Sequence, residues 1–418
     1  MRGALMFKKI DRISVKVTTF CNMDCAYCHQ LKMDKDKPET FVYYDEFKAF
    51  LSKCNMADRV KATITGGEIS LRLRNLVECD NALNSIGNAV YAPNVVTNGS
   101  NLKGIVSLIR KGVLRADSVT LSWDGIHSCS KTRYSKNHVY DDAFFNRNIE
   151  MLGRLGYGDA VSVVYAVTPA NVEDLHSSLL FALDAGVRNF TYYLVHEGNY
   201  DDLRFLAEFE HQLRLMAREF VDRYDKDRFA FYNLQNLYAR RVHKGDFLSS
   251  ITCKKLGRTL HFDTEGDIYG CIYFGDHRAL QLGSLLDGGV YPDRLEEFSE
   301  SFLQKPSCDW ESCGMVNCFE CPASNYVSLG SMQEKRCHAC AIRRIENRVL
   351  DDVLAQLDIS DYDKQTFWND HDADSENHML VKHFDINSVG LPLATSEAHK
   401  KECRPIESEN AGRIAKWL

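Results

Sequence analysis

The chain has 418 residues and a mass of 47.7 kDa, a size that predicts two or three domains, each with its own hydrophobic core. Its 44% hydrophobic and 26% charged residues are typical of a globular protein, and no stretch reaches the roughly 18 consecutive apolar residues of a membrane span. The net charge of −7 disfavours a general nucleic-acid-binding protein, and the N-terminus lacks the apolar stretch of a secretory signal. We therefore expect a cytoplasmic protein with no nucleic-acid or membrane partner.

Apolar β-rich segments alternate with amphipathic helical segments over the first half of the chain. Strands are predicted at 12–20, 60–65, 94–97, 118–122, 161–167 and 189–195. Helices are predicted at 43–54, 75–86, 102–111, 141–155 and 172–184. Six βα units in series indicate an α/β fold with a parallel sheet, open or curled into a partial (β/α)6 barrel, with its active site at the carboxyl ends of the strands.

The second half of the chain has a different character. Apolar residues at every third or fourth position predict a long helix at 201–225 that bridges two parts of the chain. Residues 251–345 are rich in cysteine and interrupted by Gly and Pro, which indicates a second domain held by metal. We accordingly divide the chain into a first domain (1–200), a bridging helical segment (201–250), a cysteine-rich domain (251–345) and a C-terminal tail of unknown role (346–418).

Three of the fifteen cysteines, Cys21, Cys25 and Cys28, lie within eight residues just after the first predicted strand. In a reducing cytosol, cysteines in this pattern are expected to bind metal or to act in catalysis rather than to form disulfides. One short loop with three thiols can hold an iron–sulfur cluster at a small loop-closure cost and leave one iron open to a further ligand. The alternatives are a zinc site that borrows a distant histidine, and chance.

The spacing of these cysteines resembles the signature CxxxCxΦC of the radical S-adenosylmethionine (SAM) enzymes, with Tyr27 at the aromatic position Φ. Three further segments resemble landmarks of this family, in order and each after a predicted strand: TGGE at 65–68, TNG at 97–99 and SWDG at 122–125. Each alone is typical of an ordinary loop, so the indication comes from their order. The resemblance implies that SAM is bound by Tyr27, Gly66, Gly67, Glu68, Asn98, Ser122, Asp124 and Arg133.

The same resemblance implies the chemistry. A [4Fe-4S] cluster on the three thiols would pass one electron to SAM, and the resulting 5′-deoxyadenosyl radical would abstract a hydrogen atom from the substrate. The protein would supply positioning and the exclusion of water. No catalytic residue beyond the cofactor ligands is assigned.

A second set of cysteines resembles the auxiliary-cluster domain called SPASM. Cys253 and Cys271 flank Gly266 with the spacing CX9–15GX4C, on a predicted hairpin. Further thiols follow at Cys308, Cys313, Cys318, Cys321, Cys337 and Cys340. Eight thiols equal two four-cysteine sites, so the resemblance implies two auxiliary [4Fe-4S] clusters. Their spacing departs from the commonest SPASM pattern, so the division between the two clusters stays open.

By order along the chain, one auxiliary cluster would take Cys308, Cys313, Cys318 and Cys337. The other would take Cys253, Cys271 and Cys321, with Cys340 as the candidate fourth ligand. A zinc site is the alternative for one of the two, because two CxxC pairs have the spacing of a zinc ribbon. Cys54 and Cys79 belong to neither set and are expected in the core.

Enzymes that resemble this chain mostly modify peptides. The segment from Cys318 to Cys337 resembles maturases that form a side-chain cross-link or thioether in a ribosomally made peptide. The alternatives are a sulfatase-maturase-like enzyme that forms formylglycine, disfavoured because Ile272 follows Cys271 where that group has an aspartate, a small-molecule-modifying enzyme of cofactor or natural-product biosynthesis, and a non-enzymatic metal scaffold. The expected partners are a peptide or protein substrate, an electron donor such as flavodoxin or ferredoxin, and a separate peptide-recognition protein.

Overall fold

A single β-sheet runs through the first domain and continues into the cysteine-rich half of the chain. The computed structural model describes residues 9–28, 39–135, 139–155, 161–195, 198, 200–227, 229–242, 257–275, 277–303, 321–332, 334, 337–359 and 391–392. The strands are β1 (Ile10–Lys16), β2 (Met23–Cys25), β3 (Met56–Thr65), β4 (Val90–Thr97), β5 (Ser118–Ser122), β6 (Arg133–Ser135), β7 (Val161–Val167), β8 (Asn189–Leu194), β9 (Ala230–Phe231), β10 (Thr259–Phe262), β11 (Asp267–Tyr269), β12 (Gln281–Ser284) and β13 (Gly289–Val290).

The main sheet has the linear order β13-β12-β11-β10-β1-β3-β4-β5-β7-β8-β9. All neighbours from β10 to β9 are parallel, whereas β10 to β13 are antiparallel. The predicted α/β fold with a parallel sheet is therefore confirmed. Because the two end strands do not pair with each other, the sheet is open, as a partial barrel requires.

Helices connect the parallel strands and cover the sheet. They are α1 (Tyr44–Leu51), α2 (Leu73–Asn84), α3 (Leu102–Arg110), α4 (Ser128–Lys131), α5 (Asp142–Arg154), α6 (Leu175–Asp184), α7 (Leu203–Asp227), α8 (Tyr232–Val242), α9 (Pro292–Leu303), α10 (Pro322–Leu329) and α11 (Cys337–Leu354). Side-chain caps fix two of the starts: Asp141 accepts from the amide of Phe144 at 2.7 Å, and Asn101 accepts from that of Gly104 at 3.2 Å. Among the described helices, none combines the length and the apolar character that a bilayer crossing demands.

The two faces of the sheet differ in polarity. Ile13 and Val15 of β1 are buried in the hydrophobic core. Ser14, between them, must point to the other face because side chains alternate along a strand. There its hydroxyl oxygen lies 2.8 Å from Nδ1 of His261, on the neighbouring strand β10. The face away from the helices therefore carries buried polar side chains.

The cysteine-rich half is joined to the first domain at two places. The predicted hairpin around Gly266, which has a φ of +82°, is present, and its strand β10 pairs in parallel with β1. Helix α11 packs along α7, and Glu210 of α7 accepts a hydrogen bond from Arg348 of α11 at 2.6 Å. Helix α11 crosses the predicted boundary at 345–346 because Ile345, Val349 and other apolar residues of its buried face continue past it.

Five of the predicted auxiliary ligands are not described in full. Cys253, Cys308, Cys313 and Cys318 lie outside the described residues, and so does the side chain of Cys337. The two auxiliary clusters and the domain boundaries stay predictions. Cys54 and Cys79 are buried, as expected for core thiols.

Candidate functional site

The cysteine loop (residues 21–28) follows the carboxyl end of β1, at the edge of the sheet where the parallel strands end. Its strand β2 pairs antiparallel with β6, and Cys25 lies opposite Arg133. The amide of Ala26 extends this ladder by donating to the carbonyl oxygen of Thr132 at 2.9 Å. Main-chain hydrogen bonds thus attach the loop to the segment that follows β5.

The three thiols of the cysteine loop are half-buried and near enough for the charge of one to act on another. Burial raises the pKa of Cys21 to about 11 and that of Cys25 to about 12. Burial therefore favours the neutral form of Cys21 and Cys25, whereas a bound cation would favour the thiolate. Within the described ranges, no three metal-ligating side chains form a site for a single metal ion. The donor set itself, three thiols in one loop, is of the type that binds an iron–sulfur cluster or zinc.

The glycine pair after β3 packs directly against the start of the cysteine loop. A Cβ atom on Gly66 would lie 2.5 Å from the carbonyl oxygen of Thr18, and one on Gly67 would lie 2.2 Å from that of Phe20. The amide of Gly67 donates to Thr18 at 2.7 Å and that of Glu68 to Phe20 at 2.6 Å. Only glycine permits this approach. The atoms that leave no room for a side chain at these two glycines belong to the protein's own backbone.

The side chain of Glu68 is completely buried and links two strand ends. Its carboxylate accepts hydrogen bonds from the hydroxyl of Thr97 and the amide of Asn98, each at 2.5 Å, and from the amide of Ser70 at 2.9 Å. Burial raises the pKa of Glu68 above its ordinary value, and these hydrogen bonds offset part of that rise. The carboxylate therefore holds the end of β4 against the segment after β3, and its predicted contact with SAM stays a prediction.

The TNG segment contacts the cysteine loop through side chains. The carboxamide of Asn98 donates to Oδ1 of Asn22 at 3.1 Å, and that of Asn22 donates to the hydroxyl of Ser100 at 2.8 Å. Asn98 and Ser100 are buried, and Asn22 is half-buried. Neither Asn22 nor Ser100 is singled out by the sequence, although each is adjacent to a recognised motif.

The SWDG segment and Arg133 form a second polar group beside the loop. Asp124, 2% exposed, accepts hydrogen bonds from the hydroxyl of Tyr27 and, at 2.8 Å, from that of Thr132. Nε of Arg133 lies 3.5 Å from the same carboxylate and donates to Tyr27 at 3.2 Å. Nη1 of Arg133 donates to the carbonyl oxygen of Ser122 at 2.9 Å. The buried negative charge is thus matched by a buried positive one.

The eight predicted SAM contacts fall into two groups that both touch the cysteine loop. One group holds Gly66, Gly67, Glu68 and Asn98; the other holds Tyr27, Ser122, Asp124 and Arg133. The sequence predicts that they share one site but not which of them bond to one another. Their contact with SAM stays a prediction.

Tyr193, on β8, lies near the second group, although it belongs to no sequence motif. The hydroxyl of Tyr192 donates to the buried carboxylate of Glu346 at 2.8 Å, on the helix side of the sheet. Tyr193 therefore points to the other, polar face. Burial raises the pKa of Tyr193, and Tyr273, Asp124 and Arg133 are near enough to influence it. The alternation of side chains along β8, near the carboxyl end of the strand, is the signal from which Tyr193 could have been identified.

Two of the described auxiliary cysteines stand at the starts of short elements. Cys271 precedes a 3-10 turn (Ile272–Phe274), and Cys321 precedes α10. These two elements pack together, with the rings of Phe274 and Tyr326 6.2 Å apart in an edge-on contact. Cys340 lies on α11, in a groove against α7. The structure therefore brings together the elements that follow Cys271 and Cys321, and the membership of these two cysteines in one cluster stays a prediction.

Comparison with known proteins agrees with this geometry. Residues 15–182, which include the cysteine loop and all eight predicted SAM contacts, match the family model of the Radical SAM superfamily. The chain carries a radical SAM domain. This family implies a [4Fe-4S] cluster together with SAM.

Relatives and solved structures extend the similarity beyond the radical SAM domain. A GTP 3′,8-cyclase of Campylobacter fetus is 23% identical over 317 residues, which cover 73% of this chain and 93% of the relative. The structure of anSMEcpe with bound AdoMet and Kp18Cys peptide has a TM-score of 0.64 at 12% identity, over 83% of this chain and 98% of that one. Streptococcus suis SuiB bound to its precursor peptide SuiA has a TM-score of 0.54 at 14% identity, over 81% and 76%. At these identities the structures show a shared fold.

Proposed function

We propose that this protein is a radical SAM enzyme that modifies a ribosomally synthesised peptide, forming a side-chain cross-link or thioether after hydrogen abstraction. The observation that carries the radical SAM part is the cysteine loop, whose three thiols lie between two buried polar groups at the carboxyl ends of the strands. The observations that favour a peptide are the cysteine-rich second half and the fold shared with two peptide-bound proteins.

The residues present fit the implied cofactors. Three thiols in one loop suit a [4Fe-4S] cluster with one iron left for SAM, and buried charged and amide groups flank the loop on both sides. Bound there, the cluster and SAM would supply the radical that abstracts hydrogen. Eight further cysteines would hold two auxiliary [4Fe-4S] clusters, and a flavodoxin or ferredoxin would deliver electrons.

The chain's own residues have three tasks in this proposal. Gly66 and Gly67 let the loop approach the end of β3, and the ladder between Cys25 and Arg133 holds its other half. Arg133, paired with Asp124, lowers the pKa of the Cys25 thiol, which opposes the larger rise caused by burial. The half-buried position of the loop limits the access of water to the reacting groups.

A small molecule is the second candidate substrate. It is favoured by the relative named GTP 3′,8-cyclase, because the similarity spans 93% of that protein and is not confined to the radical SAM domain. Formylglycine formation, as in a sulfatase maturase, is less favoured. The residue after Cys271 is Ile272, whose side chain cannot accept a proton.

The test is iron and sulfide analysis after anaerobic reconstitution, combined with an assay of 5′-deoxyadenosine under dithionite. The wild type should hold about twelve irons per chain, and a Cys21/Cys25/Cys28→Ala variant about eight, with no deoxyadenosine. Cys129→Ala, which removes a half-buried thiol outside the predicted ligand sets, is the matched control and should behave as wild type. A wild type that holds about four irons plus zinc would indicate that the cysteine-rich second half is a structural metal module without auxiliary iron–sulfur clusters.

The substrate is tested separately, with the reconstituted wild type and mass spectrometry. Peptides encoded next to the gene should lose hydrogen, two mass units for each cross-link, whereas GTP should return unchanged. Conversion of GTP with no change in any peptide would replace the peptide proposal by the small-molecule one.

A further inference from the structure

The carboxamide of Asn22 is the side chain that joins the first half of the cysteine loop to the end of β4. It donates to the hydroxyl of Ser100 at 2.8 Å and accepts from Nδ2 of Asn98 at 3.1 Å. Asn22 directly follows Cys21, the first predicted cluster ligand. A hydrogen-bonded carboxamide with both ends engaged has one preferred orientation, so it restricts the backbone that carries it.

These contacts continue into the interior of the protein. Oδ1 of Asn98 accepts from the amide of Ser100 at 2.8 Å, which orients the carboxamide that meets Asn22. The amide of Asn98 donates to the buried carboxylate of Glu68. The network therefore runs from the buried side chain of Glu68 to the cysteine loop, and hydrogen bonds in such a network strengthen one another.

The geometry next to Asn22 concerns a ligand sulfur directly. The amide of Met23 donates to Sγ of Cys21 at 3.4 Å, and this amide belongs to the peptide bond between Asn22 and Met23. Hydrogen bonds to a ligand sulfur are one of the factors that set the potential of an iron–sulfur cluster. A rotation at Asn22 would move this donor away from Cys21.

We infer that Asn22 is a positioning residue for the cluster site: through Asn98 and Ser100 it fixes Cys21 and the Met23 N–H that contacts its sulfur. The second half of the loop is held independently, by the pairing of Cys25 with Arg133. The first half of the loop is thus held by the side chain of Asn22, and the second half by the main-chain pairing of Cys25 and by the hydrogen bond of Tyr27 to Asp124. This inference rests on the cluster site of the proposed function and does not depend on its peptide substrate.

The test compares Asn22→Ala, Ser100→Ala and the double variant with wild type in the full-length, anaerobically reconstituted protein. Ser100→Ala leaves the cysteine loop unchanged in sequence and removes the hydroxyl that bonds to Asn22 and, at 2.5 Å, to Oδ1 of Asn98. Asn88→Ala is the matched control, because its carboxamide also bridges two segments, donating to Leu51 at 2.8 Å and to Cys54 at 3.4 Å. The readouts are iron content, the potential of the cluster whose electron paramagnetic resonance spectrum changes with SAM, and deoxyadenosine formation.

We expect Asn22→Ala to keep the wild-type iron content, to shift the cluster potential to more negative values and to slow deoxyadenosine formation about tenfold, the effect of losing roughly one hydrogen bond. Ser100→Ala should shift both quantities in the same direction, and the double variant should differ little from Asn22→Ala. If Asn22→Ala binds no iron, its cluster potential cannot be measured, and the cluster potential of Ser100→Ala then tests the inference.

A wild-type potential and rate in both single variants, or independent addition of their effects, would overturn the inference. The failure of the proposed function has a different signature. In that case the wild type itself would bind no SAM-responsive cluster and form no deoxyadenosine.

Discussion

The two cysteine regions of this chain are positioned by different means. The cysteine loop is eight residues long and is bonded on one side to the segment after β4 of the parallel sheet and on the other side to β6. Three described cysteines of the second half belong to different places: Cys271 and Cys321 each precede a separate short element, and Cys340 lies within α11. Their relative positions depend on the packing of these elements, through contacts such as the one between Phe274 and Tyr326.

This difference predicts which substitutions should affect each of the two cysteine regions. A site within one short loop depends on the few buried groups that touch that loop. A site assembled from separate elements depends on the stability of every interface between them. Substitutions near β4 to β6 should therefore act on the cysteine loop alone, and substitutions at the joins with β10 and α11 should act on the second half.

The largest effect is expected at the buried ion pair beside the cysteine loop. Asp124→Ala would leave Arg133, 11% exposed, without its carboxylate partner. Removing one partner of such a pair costs about 3–5 kcal/mol. Urea unfolding should show this loss, and SAM cleavage should be abolished. The control is Asp117→Ala, which breaks the exposed pair with Arg59 and should cost under about 1 kcal/mol. Equal losses in the two variants would contradict the proposed importance of the buried pair.

The next effect concerns the join at β10. The pKa of Asp263 is raised from 3.8 to about 7, mainly by burial and also by the charge of Asp267, while Lys16 lowers it. The folded protein therefore keeps a proton that the unfolded chain releases, and stability should fall as pH rises from about 4 to about 7. Between pH 5 and pH 8, Asp263→Asn should therefore lose about 2–3 kcal/mol less unfolding free energy than the wild type, at about 1.4 kcal/mol per pKa unit.

Unfolding free energies at these two pH values provide the measurement for Asp263→Asn. The substitution keeps the Oδ1 acceptor for the amides of Glu265 and Asp267, at 3.0 and 2.9 Å, so the turn itself should survive. Asp58→Asn, at an exposed position of β3, is the control. A slope that Asp263→Asn leaves unchanged would exclude this carboxyl as the titrating group.

The third effect is expected at Gly67, in the glycine pair that packs against the start of the cysteine loop. Gly67→Ala would place a methyl group 2.2 Å from the carbonyl oxygen of Phe20, next to Cys21. The backbone must shift, at a cost of about 1–3 kcal/mol, and the displaced loop should bind less iron after reconstitution. Gly87→Ala meets no atom within 4 Å and should change neither stability nor iron content. Normal iron content in Gly67→Ala would show that the loop tolerates this displacement.

The smallest effect is expected at the join with α11. Tyr192→Phe removes the hydroxyl that donates to buried Glu346, a loss of about 1.5 kcal/mol. The SAM-dependent spectrum of the cysteine loop should remain that of wild type, while iron in the auxiliary sites falls. Tyr134→Phe, at an exposed tyrosine of β6, is the control. An altered spectrum in Tyr192→Phe would show that the two regions are coupled.

Local patterns predict most of the first domain. The strands at 118–122 and 161–167 are predicted to the residue, because apolar β-branched runs end at recognisable turns. The pairing of β2 with β6 was not predicted. Two three-residue strands carry no periodicity, and they form only because the loop after β5 returns to the cysteine loop. The contact of Asn22 with Ser100 has the same origin, since 78 residues separate the two.

By itself, the sequence determined the parallel α/β sheet, the three-thiol loop and the identity of the polar residues at the strand ends, because each depends on spacing within a short segment. The tertiary structure decided their pairing. It assigned Glu68 to the end of β4, Asp124 to Tyr27 and Arg133, and Asn22 to Asn98 and Ser100. It also joined β10 to β1, so that the cysteine-rich half continues the same sheet. Such partners lie far apart in the chain, and only the packing of the sheet brings them within hydrogen-bonding distance.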